Sequence, residues 1–285
     1  MDVQVVELNA GALRLALRPD LGGSIAGLWH QGTPVLRSTE PAALEGPRTA
    51  ASFPLLPYSN RLGFRHFRWE GAEYTTAPNF PDSPHSLHGV GWQRAWRVDA
   101  SDGRSATLSL RHTPDAHWPF AFEARQHIEL EADRLTLHLT FTNTDVREQP
   151  VGLGWHPYFP LRTHSHLRMA VLGRWESDVR QLPTHTTLLP GLDAPVASLG
   201  CDHCFFGWQG TAVIEDERFT LRLDSTVDHA VVFTPSGRDF FCVEPVSHAN
   251  DAIHFDDPAA HGLRALAPAA TATASMTLQI EARQP

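Results

Sequence analysis

Apolar residues recur at every second position along most of the chain. Leu13-Arg14-Leu15-Ala16-Leu17-Arg18 alternates, as do Thr107-Leu108-Ser109-Leu110-Arg111 and Leu135-Thr136-Leu137-His138-Leu139-Thr140-Phe141. Phe219-Thr220-Leu221-Arg222-Leu223-Asp224 and Ala274-Ser275-Met276-Thr277-Leu278-Gln279-Ile280 repeat the pattern. A period of two sends successive side chains to opposite faces, so each run predicts a half-buried strand of an antiparallel sheet. Turn-forming groups separate the runs: Asn9-Ala10-Gly11, Gln31-Gly32-Thr33-Pro34, Glu70-Gly71, Ser101-Asp102-Gly103, Glu131-Ala132-Asp133 and Asn143-Thr144-Asp145. Convincing helical periodicity is missing, and the 22 prolines and 20 glycines are spread along the chain instead of marking a linker. The pattern predicts one all-β domain over residues 1–285, a large sandwich of antiparallel sheets. The Pro/Ala-rich stretch from Ala265 to Thr273 reads as a loop before the final strand.

Composition narrows the function classes. A length of 285 residues suffices for one large domain with a full core, and 42% hydrophobic against 19% charged residues marks a globular chain. A net charge of −9 argues against nucleic acid and anionic membrane surfaces as partners. The segment Met1-Asp2-Val3-Gln4-Val5-Val6-Glu7 lacks the basic and apolar regions of a secretory signal, and no stretch approaches the roughly 18 apolar residues of a membrane span. A soluble cytoplasmic protein is the expectation, with the oligomeric state left open. All 23 basic residues are arginine. Without lysine, Schiff-base, pyridoxal-phosphate and P-loop chemistry are all excluded. Three cysteines, Cys201, Cys204 and Cys242, do not suggest a disulfide scaffold.

Two residues stand out chemically. Glu244 ends the apolar run Phe240-Phe241-Cys242-Val243-Glu244-Pro245, where a carboxylate suffers desolvation unless it is paired or working. His156 lies in Gly152-Leu153-Gly154-Trp155-His156-Pro157-Tyr158-Phe159, among apolar and aromatic neighbours. An acid and a histidine in rigid apolar surroundings are the minimum for general acid–base catalysis near neutral pH. Two further segments break the strand rhythm: Pro57-Tyr58-Ser59-Asn60-Arg61-Leu62-Gly63 and His85-Ser86-Leu87-His88-Gly89. Ala249-Asn250-Asp251-Ala252 follows the glutamate. Loops of this kind on a rigid β scaffold are common places for a site.

Each of these residues also has a plainer reading. Glu244 could pair structurally with an arginine, and His156 could be a satisfied core histidine. Arg61 could make only a surface ion pair, and Asp202 could serve merely to turn a loop. His85-Ser86-Leu87-His88 has the short spacing of zinc ligands, with a distant third ligand required. Cys201-Asp202-His203-Cys204 has CxxC spacing, but only Cys242 remains as a further thiol and no βαβ context surrounds it.

Taken together and in order, the segments resemble the aldose 1-epimerase (mutarotase) family. Asn60-Arg61 before Gly63 is similar to its Asn-Arg motif, and Leu87-His88-Gly89 with Trp96 downstream to its His-Gly motif. His156-Pro157-Tyr158-Phe159 resembles its His-Pro-Tyr-Phe motif, and Glu244-Pro245 its catalytic glutamate. Leu21-Gly22-Gly23-Ser24-Ile25-Ala26-Gly27-Leu28 is similar to its amino-terminal strand. The resemblance implies a galactose mutarotase-like sandwich that binds one monosaccharide and interconverts its anomers without cofactor or metal. By position, Glu244 would be the base and His156 the acid. His88, Arg61, Asn60 and, by a looser match, Asp202 would hold the sugar. Trp155 is the first candidate for a stacking platform. Three rivals stay open. One is a hexose-6-phosphate 1-epimerase, with Arg65, Arg68 and Arg94 aimed at phosphate. The others are a non-catalytic carbohydrate-binding sandwich and a metal-dependent or cupin-like β-sandwich enzyme.

Overall fold

The structure, a computed structural model, describes residues 4–81 and 83–283; Met1, Asp2 and Val3 of the amino-terminal segment lie outside the described residues. Each alternating run forms a strand. Leu13–Arg18 and Phe219–Ser225 match their runs, and the other three lie within Ser105–His112, Arg134–Asn143 and Thr271–Ala282. Helix among the described residues is confined to three-residue 3₁₀ turns.

Two large antiparallel sheets make the sandwich. The nine-stranded sheet runs in the order Arg97–Ser101, Ser105–His112, Phe122–Leu130, Arg134–Asn143, Thr271–Ala282, Phe219–Ser225, Thr211–Glu215, His166–Met169, Leu192–Pro195. Phe122–Leu130 and Arg134–Asn143 alternate buried and open positions, as expected of a sheet with one face on a core and one on solvent. The second sheet has eight strands, with His229–Phe233 and Phe240–Val246 at its centre. Those two strands are buried along almost their whole length. One of their faces lies in the core between the sheets, through Ala230, Val232, Phe241 and Val243. The other packs against a second apolar cluster that includes Phe53, Trp92, Tyr158, Cys242 and Val246. A strand buried on both faces cannot show hydrophobic alternation, which explains why Phe240–Val246 reads as a continuous apolar run.

The reading of Ala265 to Thr273 as a loop is corrected at both ends. Arg264–Leu266 pairs with Gln149–Val151, and the last strand already starts at Thr271. This two-stranded ladder accommodates Pro150 because an edge position leaves an N–H unused.

Gly89 ties the site-bearing loops to the core. Its φ is +65°, and an added Cβ would stand 2.2 Å from the Leu56 carbonyl oxygen, which also accepts from the Val90 and Gly91 N–H groups. Gly89→Ala therefore combines left-handed strain with a backbone clash. It is expected to cost about 2–4 kcal/mol, read as a fall of roughly 5–10 °C in thermal midpoint. An unchanged midpoint would contradict this account.

Candidate active site

Two of the motifs meet across a short ladder. Arg61 pairs with Leu87 and Leu62 with Ser86, which lays Asn60 beside His88. Both residues hold left-handed backbone, at φ 55° and 62°. Each satisfies the other: the His88 N–H donates to the Asn60 carbonyl oxygen at 2.8 Å, and the Asn60 N–H donates to His88 Nδ1 at 3.1 Å. Since Nδ1 accepts, the ring proton is assigned to Nε2. Burial, reinforced by the Arg61 charge, pushes the His88 pKa down to about 3, so the ring is neutral. Asn60 Oδ1 accepts from both the N–H and Nη1 of Arg61, each at 2.9 Å, and so orients the guanidinium.

The third and fourth motifs meet through a break in the central sheet. Gly154 pairs with Val246 and Tyr158 with Cys242. That register places His156 across from Glu244, at the point where the strand pairing is interrupted. The His156 N–H turns away to the Phe53 carbonyl at 3.0 Å. Pro245, which has no N–H to donate, stands with its carbonyl towards Gly154 beside this break.

His156 Nε2 lies 3.4 Å from Glu244 Oε1. Glu244 is 2% exposed and His156 7%, so little solvent reaches either. Glu244 Oε2 and His156 Nδ1 are buried without a hydrogen-bond partner. Two orphaned polar atoms in one buried site require an explanation, because such groups are ordinarily satisfied. Burial pushes the Glu244 carboxyl well above the usual carboxylate range; the Asp202 charge adds to this and Arg61 opposes it. Burial also holds His156 well below the ordinary imidazole range, with His88 and Arg37 adding to that. Both directions oppose the ionised form, so the two facing groups titrate as one coupled pair.

Aromatic rings wall the pair. Tyr158 stacks on the His156 ring at 4.5 Å and 13°, and Phe53 approaches it at 4.8 Å. Trp92 stacks in turn on Phe53 at 5.4 Å. Phe53 and Trp92 carry no motif that would have singled them out. Trp155, expected to be a platform, is instead a core residue. Its Nε1–H donates to Gln126 Oε1 at 3.0 Å on the sheet opposite, because strand alternation sends it to the face away from the site.

Arg61 gathers the remaining polar groups. Asp202 opens the strand Asp202–Phe206, paired with Phe233, and so does not turn a loop; its carboxylate is 3.8 Å from Arg61 Nη2. The same nitrogen donates to the Gln181 side chain, from the hairpin joining Gly173–Ser177 to Pro183–Leu188. Sequence reasoning missed Gln181, which is 120 residues from Arg61 in a polar loop. Asp251 is a staple: its Oδ1 accepts the Gly63 N–H at 2.8 Å and meets His254 Nδ1 at 2.7 Å. Asn250 Oδ1 is a further buried atom without a partner.

The metal reading of His85 and His88 loses His85 as a ligand. His85 Nδ1 accepts the Phe64 N–H at 2.8 Å and its other nitrogen meets the Arg180 carbonyl at 3.1 Å, while His88 Nδ1 is taken by Asn60. Cys201 and Cys204 are separate buried thiols. Among the described residues one trio of donor-type atoms converges, from His156, Cys242 and Glu244, within 4.8 Å of one another. It does not fit a resident metal: a metal-bound imidazole ordinarily has its second nitrogen held, and His156 Nδ1 has no partner. Of the arginines considered for phosphate, Arg94 is engaged with Asp115.

A family model described as aldose 1-epimerase matches residues 4–279. An uncharacterised Escherichia coli protein, YphB, is 34% identical over 97% of this chain and 99% of its own. The crystal structure of an Escherichia coli K12 protein described as a candidate aldose 1-epimerase superposes with a TM-score of 0.90 at 31% identity, covering 99% of this chain and 100% of that one. A galactose mutarotase-like protein from Clostridium acetobutylicum shares the fold, with a TM-score of 0.85 at 19% identity and 99% of both chains covered.

Proposed function

The chain belongs to the aldose 1-epimerase family, and from that membership we propose that it acts, as a single domain, as a mutarotase on a free aldose. Glu244 is the base and His156 the acid. The Glu244 carboxylate takes the proton of the C1 hydroxyl, O1 becomes the carbonyl oxygen, and the bond from C1 to the ring oxygen breaks. The electron pair goes to the ring oxygen, which receives the proton of His156 Nε2. The open aldehyde turns about C1–C2. Closure runs the steps backwards on the other face: Glu244 returns its proton to O1 and His156 recovers one from the former ring oxygen. Opening starts from the ionised pair and closure from the neutral one, so a pair holding a single proton serves both directions.

The observation that carries this reading is the facing of two buried groups whose environments drive their pKa values in opposite directions and leave an atom of each unpartnered. A sugar supplies hydroxyls for those atoms. The neutral His88 donates its Nε2–H towards the ring oxygen. Arg61 offers its planar fork to adjacent hydroxyls, with Asn60 and Asp202 holding it in place.

Arg61→Ala is expected to raise KM about tenfold or more by removing those bonds, measured by initial anomerisation rates across sugar concentrations. An unaltered KM would place Arg61 outside the sugar site.

The deciding experiment follows freshly dissolved α-D-glucose and α-D-galactose by polarimetry or NMR, with wild type, Glu244→Gln and an EDTA-treated sample side by side. Acceleration that survives EDTA and collapses in Glu244→Gln supports the proposal. Sugar binding without turnover would replace it with a binding module, and inhibition by sugar phosphate or inorganic phosphate would redirect it to a hexose-6-phosphate substrate.

A further inference from the structure

One charged group behind the active site has no part in the reaction above. Arg37 follows the short strand Thr33–Pro34, in Val35-Leu36-Arg37. Its backbone N–H donates to the Tyr158 carbonyl at 2.8 Å. Its Nη2 donates to the Ala50 carbonyl at 2.5 Å and the Arg48 carbonyl at 2.9 Å. The guanidinium lies 3.6 Å above the Tyr158 ring centroid and 4.7 Å from that of Phe240. Its Nε is buried without a partner.

The other face of Tyr158 carries His156, stacked at 4.5 Å and 13°. A guanidinium centred over the ring and an imidazole stacked on it could not share one face without overlapping. Arg37, Tyr158 and His156 therefore stack in that order, with Phe53 tilted against the imidazole and Glu244 beside it. Tyr158 separates the half-buried guanidinium from the imidazole. The guanidinium is close enough, through one ring, for its charge to act on His156.

We propose that Arg37 is a positioning residue that acts through the Tyr158 ring to set where the single proton of the Glu244–His156 pair rests. The proposal rests on the acid–base reading of that pair. Arg61 stands at the carboxylate end and stabilises an ionised Glu244, which favours the proton on His156. Arg37 stands at the imidazole end and opposes a protonated His156, which favours the proton on Glu244. Two fixed cations at opposite ends of the pair thus pull the proton in opposite directions. Each cation offsets part of the other's pull, which suits a reaction that must run both ways through the same two groups. The other charged or titratable groups facing His156 are Glu244, His88, Cys242 and Tyr158, whose hydroxyl is 3.5 Å from Nε2. Asp202 acts on Glu244, and Asp239 on Arg37.

The sign of the effect is fixed by electrostatics. A positive charge lowers the affinity of both groups for protons. Removing it raises both apparent pKa values of the pair and moves the window in which the pair holds one proton to higher pH.

The test compares Arg37→Met, which keeps an apolar stem over Tyr158, with Arg37→Lys, which restores the charge. In Arg37→Met the His156 ring should titrate about one pH unit higher by ¹H–¹⁵N NMR. Both limbs of the kcat/KM profile should move the same way, and Arg37→Lys should recover most of the shift. The NMR titration reads the proton whether or not a given sugar turns over, so failure of the mutarotase reading and failure of this inference are separable. A lowered thermal midpoint with an unshifted His156 titration would overturn the proposal and leave Arg37 as a staple of the 48–50 turn. A shift that Arg37→Lys did not recover would also overturn it, by assigning the effect to lost stacking.

Discussion

Glu244→Gln is expected to lower kcat for anomerisation by about 10²–10⁴-fold, the range a well-placed general base contributes. The amide matches the carboxylate in shape but cannot take the C1 proton. The same change is expected to make the protein more stable at neutral and alkaline pH. Burial raises the Glu244 pKa, so between the unfolded value of 4.5 and the higher folded value the folded chain holds a proton that the unfolded chain has released. Stability therefore falls as pH rises through that interval. Glutamine removes the ionisable group, and the gain should be about 1–2 kcal/mol at pH 8 and smaller near pH 5. Thermal unfolding at the two pH values beside the polarimetric assay checks both halves. Loss of activity together with loss of stability would mean that the substitution had merely damaged the fold.

Acid should destabilise the protein well before ordinary carboxylates titrate. Burial lowers the pKa of His88 to about 3 and of His248 to about 4, and holds His156 well below its usual range. The hydrogen bonds explain why the first two rings must stay neutral. His88 Nδ1 accepts the Asn60 N–H, while His248 Nε2 accepts the Ser59 N–H at 3.0 Å and its Nδ1 meets the Ala249 carbonyl at 2.7 Å. A proton added to either accepting nitrogen would face an N–H.

For a histidine whose folded pKa is depressed, the unfolded chain binds the extra proton from about pH 6.5 downwards, so stability falls as pH falls through that window. Three such rings act together, His112 and His261 are also held low by burial, and the raised Glu244 opposes them until the unfolded glutamate titrates near 4.5. Each ring that stays neutral adds a slope of up to about 1.4 kcal/mol per pH unit below pH 6.5. Over two pH units several such rings together become comparable with the stability of an ordinary domain. Asp145, held well below its ordinary value by Arg147, adds a further loss below about pH 4. Urea midpoints from pH 7 to 4.5 measure the slope, and His248→Gln should reduce it by about one proton. Midpoints that stayed level over that range would refute the account.

The periodicity of the chain reveals the strands whose environment differs on their two sides. Thr107–Arg111 and Leu135–Phe141 lie in a sheet with one wet face, so burial writes itself into every second residue. Phe240–Val246 shows no alternation because both of its faces are covered, and Glu244 stands out there as a charge in an apolar run. His156, Asn60-Arg61 and His88 are legible for a related reason: each interrupts a local pattern with a residue the strand does not require. Phe53, Trp92 and Arg37 do not. They are ordinary apolar or basic residues in ordinary local settings, and only the packing of distant segments brings them to the site. Trp155 shows the converse, since adjacency to His156 in the chain puts it on the opposite face of the sheet.

By itself, then, the sequence determined the all-β class, the places of the alternating strands and most of the polar residues that gather around Glu244, since hydrophobic period and local incongruity are properties of short stretches of chain. Tertiary structure alone decided that the ladder breaks where His156 meets Glu244, that Asn60 and His88 fix one another's backbone, and that Arg37 and His156 pack on the same Tyr158 ring. Those relations depend on strand register and on which side chains are removed together from water. Both arise only when segments far apart in the chain are packed against each other.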